Sequence, residues 1–268
     1  MTTQGDSRTV SAPKEASQGW VGAVLEYTWF AYNRRPDSRF GMLPGGAITF
    51  FTIAAYLFVI ALVALLFDAD FLEWARAGHT KNSNWFKATT DVGKSEWMLV
   101  ISGVGIILYS FMRTDNYRRK SRVIWHNRFL YFYFFFSTIA FSGLIALGFK
   151  NLIGRTRPFY VEDGVLFQLV PFGDRYINAS MPSGHATTAG AACAALILLF
   201  PRAGWVLVPV WIWVAASRTM IGVHFPSDVF AGFLFGVLFA LLNARIFARK
   251  RFLFKFSPSG WPRVAANF

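Results

Sequence analysis

The sequence predicts an all-α, polytopic membrane protein with six transmembrane helices, and three observations predict it. Of its 268 residues, 54% are hydrophobic and only 15% are charged, against about 25% charged in soluble domains. Six apolar runs, at roughly 46–67, 97–112, 129–149, 184–201, 204–221 and 228–247, are long enough, or nearly so, to cross about 30 Å of hydrocarbon. The basic residues, 27 against 14 acidic for a net charge of +13, gather in short stretches between those runs. In a soluble protein such an excess would suggest nucleic acid; here the partner it implies is a bilayer. The runs must be helices, because an open strand cannot satisfy its backbone in lipid, and they exceed the roughly ten residues of a barrel strand.

The first nineteen residues are polar, include Pro13, Lys14 and Glu15, and offer no apolar core of a signal peptide. We expect a disordered segment with no cleavable leader, insertion being directed by the first membrane helix. Trp20 to Tyr32 is apolar and aromatic and ends in Asn33-Arg34-Arg35-Pro36. It reads as an interfacial helix on the cytoplasmic leaflet, a seventh, partly inserted helix being the alternative. The domain division expected is therefore 1–45 for the N-terminal segment, 46–248 for the membrane domain and 249–268 for a basic cytoplasmic tail.

Loop charge orients the helices. The 113–128 loop carries Arg113, Arg118, Arg119, Lys120, Arg122 and Arg128 against Asp115, and the tail from Arg245 carries six basic residues and no acid. The 68–96 loop is mixed, with Asp68, Asp70, Glu73, Asp91 and Glu96 facing Arg76, Lys81, Lys87 and Lys94. The positive-inside bias puts 113–128 and both termini in the cytoplasm, which six crossings satisfy. Loops 68–96, 150–183 and 222–227 then lie outside. Trp74 and Trp85 in the first of these fit either a surface cap near the headgroups or an ordinary aromatic belt. Cys193, the one cysteine, sits in a run of small residues and reads as a helix-packing residue with no disulfide partner.

Three clusters stand at outside ends of membrane helices: Lys150-x6-Arg157-Pro158, Pro182-Ser183-Gly184-His185, and Ser217-Arg218-x5-His224-x3-Asp228. Each alone has a plain explanation, as snorkelling cations, a helix start or a structural pair one turn apart. Together, intact and in this order, they resemble the signature of the type 2 phosphatidic acid phosphatase superfamily, whose members include membrane lipid phosphatases, bacterial acid phosphatases and vanadium haloperoxidases. The motifs cover Lys150 to Asp228 and show no departure from that pattern.

The loop charges put these helix ends, and so the site, away from the cytoplasm, and the resemblance implies Lys150, Arg157, Ser183, Gly184 and Arg218 binding phosphate. It implies His224 as nucleophile, Asp228 accepting its other ring N–H, and His185 protonating the leaving alcohol. Elementary chemistry agrees with it. Phosphoryl transfer is mostly positioning and charge stabilisation, forked arginines suit phosphate oxygens, and a helix start with glycine favours an anion held close to the backbone. Arg155, between the ends of the first motif, could touch a headgroup or only the interface. His126 reads as a cytoplasmic loop residue and His79 is undecided. Acidic residues are too few and scattered for a two-metal centre, so neither metal nor cofactor is expected.

The expected substrate is a membrane lipid phosphate. The stretch Phe149 to Arg155 and the six-helix design look similar to lipid A phosphatases of Gram-negative inner membranes, which stand first, with a periplasmic site. Undecaprenyl pyrophosphate and phosphatidylglycerophosphate phosphatases share the motifs, and a lipid phosphotransferase could use the same phosphohistidine. A non-enzymatic scaffold or transporter would account for the helices but not the catalytic set. A haloperoxidase is disfavoured because that branch is soluble. Oligomeric state is not readable from the sequence.

Overall fold

The computed structural model describes residues 40–78, 84–111, 119–162 and 165–265, with backbone alone over 119–126. The interfacial segment Trp20–Tyr32 and His79 lie outside these residues. The described chain is mostly helical: α1 (Gly46–Arg76), α2 (Asn84–Val92), α3 (Ser95–Phe111), α4 (Arg119–Ile153), α5 (Gly184–Leu199), α6 (Gly204–Met220) and α7 (Pro226–Arg249), followed by a hairpin of β1 (Phe254–Phe256) and β2 (Pro262–Val264). Among the described residues, five stretches are long and apolar enough to span a bilayer: 46–76, 84–111, 127–153, 201–220 and 226–249. The expected fourth span, α5, has 16 residues and at 1.5 Å per residue is only about 24 Å long.

The helices depart from the expected boundaries in two informative places. Asp68 was expected in a loop, yet α1 continues through it to Arg76. A charge stops an apolar helix only when it must reach water, and Asp68 finds an ion-pair partner inside the protein in Arg155. On the opposite side, α4 begins at Arg119, so position 126 is helical and not part of a loop. The tail is also not featureless. Its strands pair antiparallel with Phe254 opposite Val264, Lys255 opposite Arg263 and Phe256 opposite Pro262. The hairpin is seated by Leu253 and Phe254 against Phe134 of α4, Leu199 of α5 and Phe247 of α7. Arg245, within α7, donates to the carbonyls of Gly41, Met42 and Gly260, tying the start of the bundle to the hairpin.

At the centre stands α5, whose Ala186 to Ala195 run is buried without a break. Small side chains there let α7 approach to backbone contact. A β-carbon at Gly190 would collide with the carbonyl of Phe233, and one at Gly232 or Gly236 with the carbonyls of Ser183 or Thr187. This is the small-residue packing by which membrane helices associate without a hydrophobic driving force. Its consequence is positional: it fixes the start of α5, where Ser183 and Gly184 sit, against the start of α7, where Asp228 sits. Cys193 is buried in the same layer. The reverse face of α1 presents Ile48, Phe50, Phe51, Leu57, Phe58 and Leu65 outward, a surface suited to lipid. Across the bundle, the Asn243 amide of α7 donates to both Ser137 and Thr138 of α4, so the polar groups buried there are paired, as an apolar surrounding demands.

Candidate active site

The three motifs converge at one end of α4, α5, α6 and α7. Lys150 lies in the last turn of α4, and its Nζ and Cε pass 3.7 and 3.8 Å from where a β-carbon on Gly184 would be. Glycine at 184 thus leaves the backbone at the start of α5 open beneath the ammonium. Ser183 is the N-cap of α5, with no capping hydrogen bond from its side chain. Its hydroxyl is buried with no partner among the described residues, in the position where an anion at a helix start would accept a bond. The Ser183 amide donates to the Asp228 carbonyl at 3.0 Å, locking the second motif to the third.

Arg157 is held by the segment that follows α4. Gly154, at φ +63°, ends that helix, and any side chain there would strike the carbonyl of Val170. The chain then pairs Arg155 with Leu169, the amide of Arg157 donates to Ile177, and its guanidinium lies 5.9 Å from the Tyr176 ring centroid. Arg218 comes from the last turn of α6 and donates to Thr90 at 3.1 Å. Lys150 is within electrostatic reach of Arg157, Arg218 and Asp228, and His185 of Lys150 and Arg218. Three cations gathered in this way repel one another, and an arrangement of that kind is relieved by a multiply charged anion.

Beside this cluster opens a cavity of about 490 Å³ between α3, α4 and the start of α5. One end is polar, with Lys150, His185, Ser95 and Glu96, and the walls are apolar, with Leu99, Ile139, Leu144 and Leu147 among them.

His224 is 1% exposed and follows α6, two residues before α7 begins. Burial is the main influence on its ring and holds its pKa down to about 3, with Lys150 and Arg218 acting in the same direction and Asp228 opposing them. Asp228 opposes through its charge and not through a direct hydrogen bond, because its Oδ2 lies 3.8 Å from His224 Nδ1, beyond bonding range. The direct carboxylate–imidazole bond expected from the sequence is therefore replaced. Ser180 stands between them, its hydroxyl donating to Asp228 Oδ2 at 2.5 Å and lying 3.3 Å from His224 Nδ1. With Ser180 donating to the carboxylate, its oxygen is left to accept from Nδ1–H, which leaves Nε2 unprotonated. The depressed pKa also ties folding to pH. The unfolded ring takes a proton below about 6.5 while the folded ring does not, so this contribution is complete above that pH and is lost as pH falls toward 3.

The rest of the Asp228 environment was not foreseen. Its Oδ2 also accepts the Phe225 amide at 3.0 Å, at the start of α7. Its Oδ1 is bound by Arg155 at 2.7 Å, and Arg155 in turn binds Asp68 at 2.9 Å and Ser227 at 2.7 Å. Arg155 is fully buried between the rings of Phe167 and Phe225, at 4.6 and 4.1 Å. Enclosed by protein on all sides, it does not make the headgroup or interface contact expected from the sequence. Two signals in the sequence could have pointed here: a second arginine two residues before Arg157, and Asp68 as the first charge after 22 charge-free residues of α1.

Among the described residues no group of three or more His, Cys, Asp or Glu could hold a metal ion. A helical membrane bundle with this cluster at one end is, as a class, a membrane-bound phosphatase. Residues 130–252 match the model of the PAP2 superfamily. The chain is 38% identical over 227 residues to a lipid A 1-phosphatase of Rhizobium etli, covering 83% of this chain and 93% of the relative. It is 37% identical to a lipid A 1-phosphatase of Rhizobium johnstonii, covering 90% and 97%. A solved transmembrane PAP2-type phosphatidylglycerolphosphate phosphatase from Bacillus subtilis superposes with a TM-score of 0.46 at 21% identity, covering 71% of this chain and 92% of that one. The chain belongs to the PAP2 superfamily.

Proposed function

We propose that this protein removes the 1-phosphate of lipid A by a metal-independent route through a phosphohistidine. The observation that carries the substrate is the near full-length similarity to two lipid A 1-phosphatases. The site supports the chemistry. Lys150, Arg157 and Arg218 hold the phosphate with the Ser183 hydroxyl and Gly184 amide, and the apolar walls of the adjoining cavity accommodate the lipid beside it. His224 Nε2 attacks phosphorus and the bond from phosphorus to the lipid oxygen breaks, that oxygen taking a proton from His185. Water then attacks the phosphohistidine, giving its proton to His185, and the P–N bond breaks to release inorganic phosphate and neutral His224. Purified protein should release phosphate from lipid A in the presence of EDTA, faster than from undecaprenyl pyrophosphate, phosphatidylglycerophosphate or phosphatidic acid. Preference for one of the others would reassign the substrate, and transfer of phosphate to a lipid acceptor in place of water would make it a transferase.

The membrane arrangement we propose has six crossings, α5 completing the set with its flanking residues, in a bacterial inner membrane. The N-terminal segment 1–45 and the tail 249–268 flank a membrane domain at 46–248. The basic 113–128 segment and both termini face the cytoplasm and the site faces the periplasm, as the loop charges favour. A cysteine at position 178, with Cys193 replaced, should react with an impermeant thiol reagent in right-side-out vesicles. Reaction only after permeabilisation would reverse the orientation.

A further inference from the structure

Asp68 lies on α1, outside residues 130–252 that match the family model, and none of the three motifs includes it. It is completely buried in a helix with no other charge over its preceding 22 residues. Removing a carboxylate from water is costly even after relaxation, so such a residue is retained where it pairs or works. Other contacts also dock α1. The Tyr56 hydroxyl donates to the Ala231 carbonyl at 3.0 Å, and Phe71 packs edge-on to Phe225 at 6.2 Å. Every contact that Asp68 makes leads toward the third motif. It accepts the Ser227 amide at 3.1 Å and the Ser227 hydroxyl at 2.5 Å, and binds the Arg155 guanidinium whose other arm holds Asp228.

We propose that Asp68 is a positioning residue for phosphoryl transfer, acting through Arg155 to keep Asp228 negative in effect beside His224. The charges make the case. Arg155 facing Asp228 alone would form a neutral pair, and a neutral pair does little for a cation forming next to it. With Asp68 sharing the guanidinium, the buried group of three carries one surplus negative charge. That surplus favours the positive charge that develops on the His224 ring as Nε2 bonds to phosphorus, reaching Nδ1–H across Ser180. In a dry site such a preset charge counts for more than in water. Asp68 touches neither phosphate nor leaving group, so it should affect the chemical step and leave phosphate binding alone.

The inference rests on the reading of His224 as nucleophile, so the unaltered protein must first show a nitrophenol burst from p-nitrophenyl phosphate that His224→Ala removes. If phosphate release survives His224→Ala, it is the proposed function that fails and not the inference about Asp68. Given the burst, Asp68→Asn should slow it roughly 10–100-fold, the range typical when an outer partner of a reactive group is lost. The substrate concentration that half-saturates the burst rate and the affinity for inorganic phosphate should stay within about twofold, because the three cations are untouched. In an Asp228→Asn background the same change should have little further effect, since residues acting in one chain are not additive. Ser227→Ala, which removes one hydroxyl from the group without altering charge, should show a smaller loss in the same parameter. It decides the matter if Asp68→Asn cannot be purified. An unchanged burst rate, a loss confined to half-saturation of the burst or to phosphate binding, or an undiminished effect in the Asp228→Asn background would overturn the proposal.

Discussion

Replacing His224 by alanine should abolish both lipid turnover and the nitrophenol burst, whereas replacing His185 should leave the burst and lose the lipid reaction. That is the expected result if one histidine attacks phosphorus and the other handles the leaving group. Without His224 no covalent intermediate can form on any substrate. Without His185 the lipid alkoxide must leave unprotonated, a loss of about 10²–10⁴-fold for a missing general acid, while nitrophenolate leaves unaided. The burst must be followed, because His185 also serves the hydrolysis step and steady-state turnover will fall on either substrate. Labelled phosphate trapped on the His224→Ala protein, or equal loss of the burst in both variants, would refute the assignment. The buried ring adds a pH test. In histidine-labelled protein the His224 carbon resonances should stay those of a neutral ring well below the ordinary value of 6.5, since its pKa is held at about 3. The ring is the proper readout because phosphate esters themselves titrate near about pH 6. A midpoint at the ordinary value would mean the ring is open to water.

Arg155→Met should destabilise the protein by about 3–5 kcal/mol, the cost of removing one partner from a buried ion pair. Both carboxylates that share Arg155 are fully buried and lie 2.9 and 2.7 Å from it, so the variant leaves two negative charges in the interior with no cation between them. One must take up a proton or the bundle must open. Arg155→Lys should rescue little, because a single ammonium cannot serve Asp68, Asp228 and Ser227 with the forked geometry of a guanidinium. Thermal unfolding in detergent measures the effect, and activity should be lost with it. An Arg155→Met protein that melts with the parent and keeps its burst would show that the network is dispensable.

The sequence by itself determined a good deal here. Apolar runs far longer than a barrel strand, with basic residues between them, could only be membrane helices, because lipid offers the backbone no other partner. The motif spacings placed Lys150, Arg157, Ser183, Gly184, His185, Arg218, His224 and Asp228 at the ends of helices, and the structure gathers those ends together. It is short-range information: a helix end, a glycine at a close approach and a period of one turn are all written within a few residues. What only the tertiary structure decided is the company those residues keep. Asp68 and Asp228 are 160 positions apart and Ser180 is 44 from His224, and no local pattern says that they meet. Asp68 looked like a loop residue because a charge after an apolar run normally marks the water boundary. Arg155 looked like a contact with a headgroup or only with the interface, because arginine at a membrane edge normally snorkels. Each was misread for the same physical reason. A charge's place is set by where its countercharge lies, and here the countercharges arrive from segments far apart in the chain, brought within reach by the docking of α1 on α7 and the turn at Gly154.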